Sequence, residues 1–353
     1  MKKIAIVTLY DDINIGNKLQ NYAVQQICKS YDLEPVTLTY KDIDKQVTWK
    51  GYIISIIGFP KNKAKVKQLQ MRRKRRFKEF SNKYLIIEKP HRFKEYKYLK
   101  LDFDLYIVGS DQVWHNWNDS MDELEYFFLR FVEKKKRLCI APSFGFDEIP
   151  AEYKNVYKEG LEGFEYLSCR EESGCNIIKS ITNKEAQRIV DPTLMLDKSL
   201  WCEIEKKPEY VTPDRYLLVY FLGGMSDSDK REIDKLADSL ELEIIDILNL
   251  NQEDYYCTRP DEFIYLVNRA TFIVTNSFHG AVFSILFHKK FKVLQRVDEE
   301  GGKMQSRIDT LFNIFDIKSS DTDNLNYETI DELLTKERMN LDKYLKKIFE
   351  YRE

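Results

Sequence analysis

Histidine is scarce in this sequence, and its cysteines form no metal-binding motif. The 353 residues include four histidines and six cysteines. The cysteines are scattered, with no Cys-x-x-Cys pair and no histidines at zinc-ligand spacing. A long chain with scattered cysteines and no secretory signal favours reduced thiols. We therefore expect a cytoplasmic protein that needs no metal.

Long apolar runs and a strong net charge are also absent. No stretch reaches the about 18 consecutive apolar residues of a membrane span. The apolar start at residues 4–7 soon meets Asp11 and Asp12 and lacks a cleavage site, so it predicts a buried strand and not a signal peptide. The formal net charge of −2 argues against a polyanion-binding protein, and no RNA-binding or zinc-finger signature predicts nucleic acid as a partner.

One basic segment departs from this balance. Between Lys61 and Lys83, Lys and Arg are frequent and Glu79 is the only acidic residue. One interpretation of this basic insertion, residues 50–83, is a solvated helix face that follows a buried turn. The other is peripheral contact of residues 51–83 with an anionic surface on the cytoplasmic face of a membrane, because an apolar stretch precedes the basic residues.

Predicted strands and helices alternate along the chain, which is typical of parallel sheets with crossover helices. The alternation stops at a polar linker with two prolines, residues 198–214, and then restarts. We therefore predict an α/β protein of two Rossmann-like domains, residues 1–197 and 198–353, whose mostly parallel sheets face each other across a cleft. The final helix, residues 328–351, is predicted to pack back on the N-terminal domain.

Polar side chains follow the predicted strands of the N-terminal domain. The carboxyl ends of parallel strands and the amino ends of the next helices are where α/β proteins bind ligands. No Gly-x-Gly-x-x-Gly motif is present, so a dinucleotide is not predicted. The residues suited to hydrogen-bonding or stacking on a sugar are Asn17, Gln20, Asp111, Gln112, Trp114 and Trp117. The alternatives are helix capping by Asn17 and a turn with a packed tryptophan.

A second polar group surrounds a histidine in the C-terminal domain. A predicted buried strand, residues 272–275, leads into Asn276, Ser277, His279 and Gly280, and an apolar helix follows. The helix dipole disfavours the charged form of His279, whereas a nearby phosphate would favour it. This imidazole is therefore suited to carrying a proton during turnover, and a structural imidazole is the alternative.

Two arginines are candidates for binding an anion. Arg170 follows a predicted strand, and its guanidinium suits a phosphate or a carboxylate. A salt bridge to Glu171 or Glu172 is the alternative, although side chains one or two residues apart do not face each other on a helix. Arg307 is predicted to begin a helix, where a cation is unfavourable to the dipole, so we expect it to serve a ligand.

These strand-end motifs occur in a fixed order along most of the chain. They are Asn17-x-x-Gln20-Asn21-Tyr22-Ala23, Gly109-Ser110-Asp111-Gln112-Val113-Trp114, Ala141-Pro142-Ser143-Phe144-Gly145, Ser168-x-Arg170-Glu171, Asp191-Pro192-Thr193 and Asn276-Ser277-Phe278-His279-Gly280. Together they resemble the polysaccharide pyruvyl transferase family from about residue 4 to residue 311. One departure is Ser277, which stands where some members carry Arg.

The resemblance implies a GT-B-like fold and a specific reaction. A pyruvyl group would pass from phosphoenolpyruvate to sugar hydroxyls, giving a pyruvate ketal on a surface polysaccharide or its lipid-linked precursor. Phosphoenolpyruvate is then a co-substrate, and no cofactor is implied. The partners would be phosphoenolpyruvate and a sugar or lipid-linked oligosaccharide acceptor.

The family's histidine falls on His279, and the arginine of its Ser-x-Arg-Glu motif falls on Arg170. Ketal formation calls for a general acid/base, for which His279 and Asp111 are the candidates. Donor binding is assigned to Arg170, Arg307, Ser277, Asn276 and Gly280, and the C-terminal domain is expected to be the donor side of the cleft. Acceptor binding, on the N-terminal side, is assigned to Asn17, Gln20, Gln112 and Trp114.

Two other functions remain compatible with the sequence. A glycosyltransferase that uses a nucleotide sugar has the same GT-B-like architecture, so the fold alone does not separate it from a pyruvyl transferase. A carbohydrate- or membrane-binding subunit without catalytic activity would use the basic segment and the tryptophans. Thermal stabilisation by a nucleotide sugar and not by phosphoenolpyruvate would favour the glycosyltransferase. Acceptor binding without turnover would favour the non-catalytic subunit.

Overall fold

The computed structural model describes most of the chain, namely residues 1–41, 63–295, 301–318, 322 and 324–350. The apolar stretch at residues 51–60 and the start of the basic insertion lie outside these ranges. Within them, no helix combines the length and the hydropathy needed to cross a membrane.

The N-terminal half is built on a parallel sheet. Its strands are β1 (Lys2–Val7), β2 (Leu33–Leu38), β3 (Leu105–Val108) and β4 (Arg137–Cys139), in the spatial order β2-β1-β3-β4. A second parallel pair is formed by β5 (Leu167–Cys169) and β6 (Ala186–Arg188). It lies beside β4, because the Ala141 N–H donates to Ser168 Oγ at 3.2 Å. The helices are α1 (Ile15–Ser30), α2 (Lys63–Tyr84), α3 (Met121–Phe127), α4 (Lys154–Leu161) and α5 (Glu172–Thr182).

The C-terminal half contains a second parallel sheet. Its strands are β7 (Tyr216–Tyr220), β8 (Glu243–Asp246), β9 (Phe272–Thr275) and β10 (Lys290–Val293), in the order β10-β9-β7-β8. Its helices are α6 (Lys198–Ile204), α7 (Asp227–Leu240), α8 (Glu253–Tyr256), α9 (Pro260–Arg269), α10 (Phe278–Leu286), α11 (Gly301–Ile314) and α12 (Tyr327–Glu350).

The central strands of both sheets are apolar on both faces. Every residue of β3, β7 and β9 is buried. Continuous apolar strands are typical of parallel sheets, because their crossover helices cover both faces. The predicted bounds of the strand before the histidine turn, residues 272–275, agree with β9.

The last helix, α12, returns to the N-terminal half. Tyr344 donates its hydroxyl hydrogen to the Cys139 carbonyl, which ends β4, at 2.9 Å. Arg338 Nε donates to the Leu194 carbonyl at 2.8 Å. Between these contacts Leu341 is fully buried. The final helix of the chain therefore packs on elements made much earlier in the sequence.

The basic helix α2 joins the two halves, and it is not simply a solvated face. Arg73, which is 2% exposed, donates to the carbonyls of Ile13 in the N-terminal half and Tyr256 in the C-terminal half. Arg76 Nε donates to the Cys257 carbonyl at 2.8 Å. The solvated-face interpretation is therefore wrong for the buried side of the helix. Helix spacing places Arg73 and Arg76 on the side that faces the protein, where backbone carbonyls accept from them.

Candidate active site

The polar residues of the strand-end motifs meet at one edge of the two sheets. The N-terminal half supplies Asn17 from α1, Asp111 after β3, Arg170 after β5 and Asp191 after β6. The C-terminal half supplies His279 from the first turn of α10. All five residues are at most 7% exposed, so their charges interact in a medium with few water molecules.

Arg170 is held between two carboxylates. Its Nη1 lies 2.7 Å from Asp191 Oδ2, and its Nη2 lies 3.5 Å from Asp111 Oδ1. Burial on its own would lower the pKa of Arg170, but these carboxylates raise the pKa above its ordinary value. The predicted alternative, an ion pair with Glu171 or Glu172, is wrong, since the partners come from distant turns of the chain.

Asp191 receives more hydrogen bonds than an ordinary capping residue. Its Oδ1 accepts from the N–H and hydroxyl of Thr193 at 3.0 and 2.7 Å, which starts a 3₁₀ turn at Pro192. Its Oδ2 accepts from Ser110 Oγ at 2.9 Å. Burial opposes ionisation, but Arg170, His279 and these hydrogen bonds lower the pKa of Asp191 to about 2. The sequence motif contained Asp191, but no site role was predicted for it.

His279 lies against both halves of the protein. Its Nε2 is 3.9 Å from Asp191 Oδ2, and a Cβ atom added to Gly16 of α1 would lie 2.3 Å from its Nδ1. Among the described residues, Nε2 has no hydrogen-bond partner. Burial lowers the pKa of His279, the two arginines of the site lower it further, and the carboxylates of Asp191 and Asp111 oppose this. The imidazole therefore tends to be neutral and offers an unused nitrogen to a ligand.

Arg307 brings a second guanidinium close to the histidine turn. The guanidinium carbon of Arg170 lies 4.3 Å from the centre of the Phe278 ring, and that of Arg307 lies 6.0 Å from it. Arg307 is 6% exposed, and its charge contributes to the lowered pKa of His279. The reason given for Arg307 from the sequence is wrong, because α11 begins at Gly301 and places Arg307 beyond the first turn.

Asp111 is oriented by its neighbours. Asn17 Nδ2 donates to its Oδ2 at 2.7 Å, and the Gln112 N–H donates to its Oδ1 at 2.9 Å. Both carboxylate oxygens thus already accept hydrogen bonds. A role of Asp111 as the base that deprotonates a sugar hydroxyl stays a prediction.

The sequence model of the polysaccharide pyruvyl transferase family matches residues 14–294, which is most of the chain. The chain belongs to this family. Transfer of a pyruvyl group to polysaccharide is the activity that membership supports. Asn17, Asp111, Arg170, Asp191 and His279 lie inside the matched region, whereas Arg307 lies beyond it.

Solved structures confirm the predicted GT-B-like fold. HepE of Anabaena, solved with UDP and glucose, has a TM-score of 0.51 at 7% identity, with 99% of each chain covered. A 2-epimerase from Listeria monocytogenes described as acting on UDP-N-acetylglucosamine has a TM-score of 0.48 at 10% identity, covering 99% of this chain and 98% of its own. No curated protein sequence matches. At such identities the likeness concerns the fold only.

In this member of the pyruvyl transferase family, the predicted acceptor residues are all buried, and they differ in whether their polar atoms already have hydrogen-bond partners. Gln20 is fully buried behind Asn17 and donates to Thr8 Oγ1 at 2.7 Å. Gln112 is 4% exposed, and its Nε2 has no hydrogen-bond partner among the described residues. Gln112 is therefore the acceptor candidate with an unpaired amide nitrogen, and Gln20 supports the turn that carries Asn17.

Trp114 does not face the cleft, contrary to the sequence prediction. It is fully buried, with its ring 5.1 Å from that of Phe144 and 5.7 Å from that of Phe128. The expected sugar contact is wrong because the rings of Phe128 and Phe144, which follow later in the sequence, pack on this ring. Trp117 is half-buried, and its Nε1 donates to the Gln112 carbonyl at 3.1 Å. Trp117 is thus the tryptophan that accompanies Gln112.

The remaining donor candidates shape the histidine turn. Asn276 Nδ2 donates to the Leu222 carbonyl at 2.7 Å, and its Oδ1 accepts from the Leu222 N–H at 2.6 Å. Ser277 caps α10 by accepting from the Gly280 N–H at 3.4 Å. A Cβ atom at Gly280 would lie 2.2 Å from Thr275 Oγ1. These contacts fix the turn, and direct donor binding by the three residues stays a prediction.

Proposed function

We propose that this protein transfers a pyruvyl group from phosphoenolpyruvate to two hydroxyls of one sugar, which forms a cyclic ketal on a surface polysaccharide or its lipid-linked precursor. The observation that carries the proposal is the position of His279. In a member of the pyruvyl transferase family, its unused Nε2 lies beside two buried arginines at the edge where both sheets end.

The arginines suit the charge of the donor. Phosphoenolpyruvate carries a phosphate and a carboxylate, and a guanidinium binds either through paired N–H groups. Arg170 remains cationic between Asp191 and Asp111, and Arg307 adds a second positive charge near Phe278. The amino end of α10 also attracts an anion through its dipole. A donor phosphate bound there would add negative charge next to His279.

His279 would supply the proton that starts the reaction. A nearby phosphate favours the protonated imidazole. The proton moves from Nε2 to the methylene carbon of the donor, the carbon–carbon double bond becomes single, and the neighbouring carbon becomes electrophilic. One sugar hydroxyl adds there and releases its proton, the phosphate leaves, and the second hydroxyl adds and releases its proton. The products are the ketal and inorganic phosphate.

The other residues would hold this arrangement in place. Asp191 lies 3.9 Å from His279 Nε2 and stabilises the imidazolium, because its own low pKa keeps it ionised. Asp111 stays the candidate base for the sugar hydroxyl, oriented by Asn17. Gln112 and Trp117 offer an amide and a half-buried ring to the acceptor sugar. No cofactor enters these steps, and the free cysteines suit a reducing compartment such as the cytoplasm.

Mass spectrometry of oligosaccharides incubated with phosphoenolpyruvate tests the proposal. The expected product is heavier than the acceptor by one pyruvic acid less one water, and one phosphate is released for each product formed. His279→Ala should abolish the product. His288→Ala is the matched control, because this partly exposed histidine follows the other end of α10 and should leave activity unchanged.

Two results would contradict the proposal. One is full activity of His279→Ala. The other is thermal stabilisation by UDP-glucose together with glucose transfer and no response to phosphoenolpyruvate, which would make the protein a glycosyltransferase.

A further inference from the structure

The exposed side of α2 is a continuous cationic surface. Its residues recur at helical spacing of three or four positions, so they lie on one face of the helix. They are Lys63, Lys67, Met71, Lys74, Arg75 and Lys78, here called the cationic stripe. From Lys63 to Lys78 the stripe is about 22 Å long at 1.5 Å per residue.

The charges of the stripe are largely available to a partner. Lys63, Lys67 and Lys74 are exposed and form no ion pair with any carboxylate in the described part of the chain. The two pairs that do occur are long: Arg75 lies 3.9 Å from Glu79, and Lys78 Nζ lies 3.9 Å from Asp12. Exposed ion pairs of this kind contribute little.

The helix cannot turn this surface away from solvent. Its opposite face buries Leu69, Arg73, Phe77 and Phe80, each at most 5% exposed. Arg73 in particular is bound to backbone carbonyls of both halves of the protein. The orientation of the cationic stripe is therefore fixed by the buried face.

One end of the stripe lies beside the loop that leads into α1. Lys78 Nζ is 3.9 Å from Asp12 Oδ2, in the loop whose Asn14 caps α1. Asn17, which orients Asp111, belongs to the first turn of that helix. A flat anionic surface held against the stripe would thus lie next to the loop that frames the acceptor side of the site.

We propose that the cationic stripe docks the protein on an anionic lipid bilayer. Charge complementarity supports a bilayer, and so does Met71, which is 63% exposed in the middle of the basic residues and can enter the headgroup region. The stripe is a fixed, linear row of charges, which suits a bilayer surface. It carries no aromatic ring, whereas binding of single-stranded nucleic acid usually needs aromatic side chains that stack on the bases. Binding of this kind is electrostatic and weakens as salt rises.

Co-sedimentation with vesicles tests the docking. The vesicles contain equal parts of phosphatidylglycerol and phosphatidylcholine, and pure phosphatidylcholine vesicles serve for comparison. The protein should sediment with the first kind only and be released at high salt. Each basic residue near an anionic surface contributes about fivefold to binding, so Lys67→Gln, Lys74→Gln, Arg75→Gln and Lys78→Gln together should weaken it about 600-fold.

A matched variant removes four positive charges elsewhere. Lys134, Lys158, Lys207 and Lys235 are exposed, lie outside α2 and are each changed to Gln. This control should bind the vesicles as the unchanged protein does, and both variants should keep the thermal midpoint of the unchanged protein. Equal loss in the two variants, equal binding to neutral vesicles, or binding to duplex DNA without binding to vesicles would each overturn the docking proposal.

The measurement is independent of the proposed reaction. Vesicle binding needs neither donor nor acceptor, so its failure leaves pyruvyl transfer untouched. Conversely, a protein without transferase activity can still bind the vesicles. If both proposals hold, the quadruple variant of the stripe loses activity only toward an acceptor anchored in vesicles and keeps it toward a short soluble one.

Discussion

The protonation of His279 is controlled by side chains from several distant segments. Burial lowers its pKa, and the positive charges of Arg170 and Arg307 act in the same direction. The carboxylates of Asp191 and Asp111 act in the opposite direction. The balance makes the free enzyme hold a mostly neutral imidazole at neutral pH, ready to respond to the charge of a bound phosphate.

Two charge-removing variants should therefore shift the pH profile of kcat/KM in opposite directions. With His279 as the acid, kcat/KM falls as pH rises through its pKa in the free enzyme. Asp191→Asn removes a charge that raises this pKa, so the fall should occur at lower pH. Arg307→Gln removes a charge that lowers it, so the fall should occur at higher pH. Initial rates across a pH series at low donor concentration measure both shifts.

The ionisation of the donor phosphate is common to all variants and cancels in the comparison. Circular dichroism of each variant controls for misfolding, because Asp191→Asn also weakens the ion pair of Arg170. Shifts of the two variants in the same direction would contradict the assigned role of His279.

The sequence predicted which residues belong to the site better than it predicted which residues they contact. His279 and Arg170 are near each other, as expected from the strand-end rule, and Arg307 lies close to both although it follows no strand. The partners of Arg170 lie 21 and 59 residues away, and only the folded sheets bring them together. The prediction that Trp114 contacts a sugar is wrong for the same reason, since the rings that bury it belong to later segments of the chain.

The contact between α1 and α10 positions the histidine from the other half of the protein. Gly16 leaves room for the imidazole, because a Cβ atom there would lie 2.3 Å from Nδ1. Glycine in a helix normally costs about 1 kcal/mol relative to alanine. Here the absent side chain allows the two helices to approach at the site.

Gly16→Ala should thus lower activity without the stability gain that a helical alanine normally brings. A displacement of about 1 Å at a catalytic group can reduce the rate about a hundredfold. Steady-state kinetics and urea unfolding measure the two effects. Lys29→Ala, at an exposed position of the same helix, should change neither. Full activity of Gly16→Ala with about 1 kcal/mol of added stability would show that His279 does not need this space.

The sequence predicts elements with a clear apolar pattern, but it does not predict that α2 packs on the C-terminal half. Continuous apolar runs located β9 and the helix after it. The charge of α2 predicted solvent or membrane, yet Arg73 and Arg76 bind backbone carbonyls of the C-terminal half. A buried arginine bound to carbonyls leaves no distinct pattern in the sequence, because its partners are main-chain atoms that every residue carries.

The two halves are connected by more than the linker. Helix α2 reaches from the N-terminal half to the C-terminal half, and α12 follows the C-terminal sheet yet packs on β4. The core of the first half therefore includes side chains from the end of the chain.

Leu341→Ala should destabilise the protein by about 2–5 kcal/mol, since Leu341 of α12 is fully buried. Amide hydrogen exchange should become faster in β1 to β4, far from the mutation in sequence. Met339→Ala is the matched control on the same helix, because Met339 is 56% exposed and its removal should cost less than about 0.5 kcal/mol. Unchanged exchange in β1 to β4 of Leu341→Ala would argue that α12 does not support the first sheet.

The packing of α12 on the N-terminal half also has a consequence for folding during synthesis. Domains usually fold in sequence as the nascent chain emerges, the first one first. Here the surface around Cys139 and Leu194 stays uncovered until α12 has been synthesised, at residues 327–350. The sheet of the first half therefore receives its full cover only when this helix has been added.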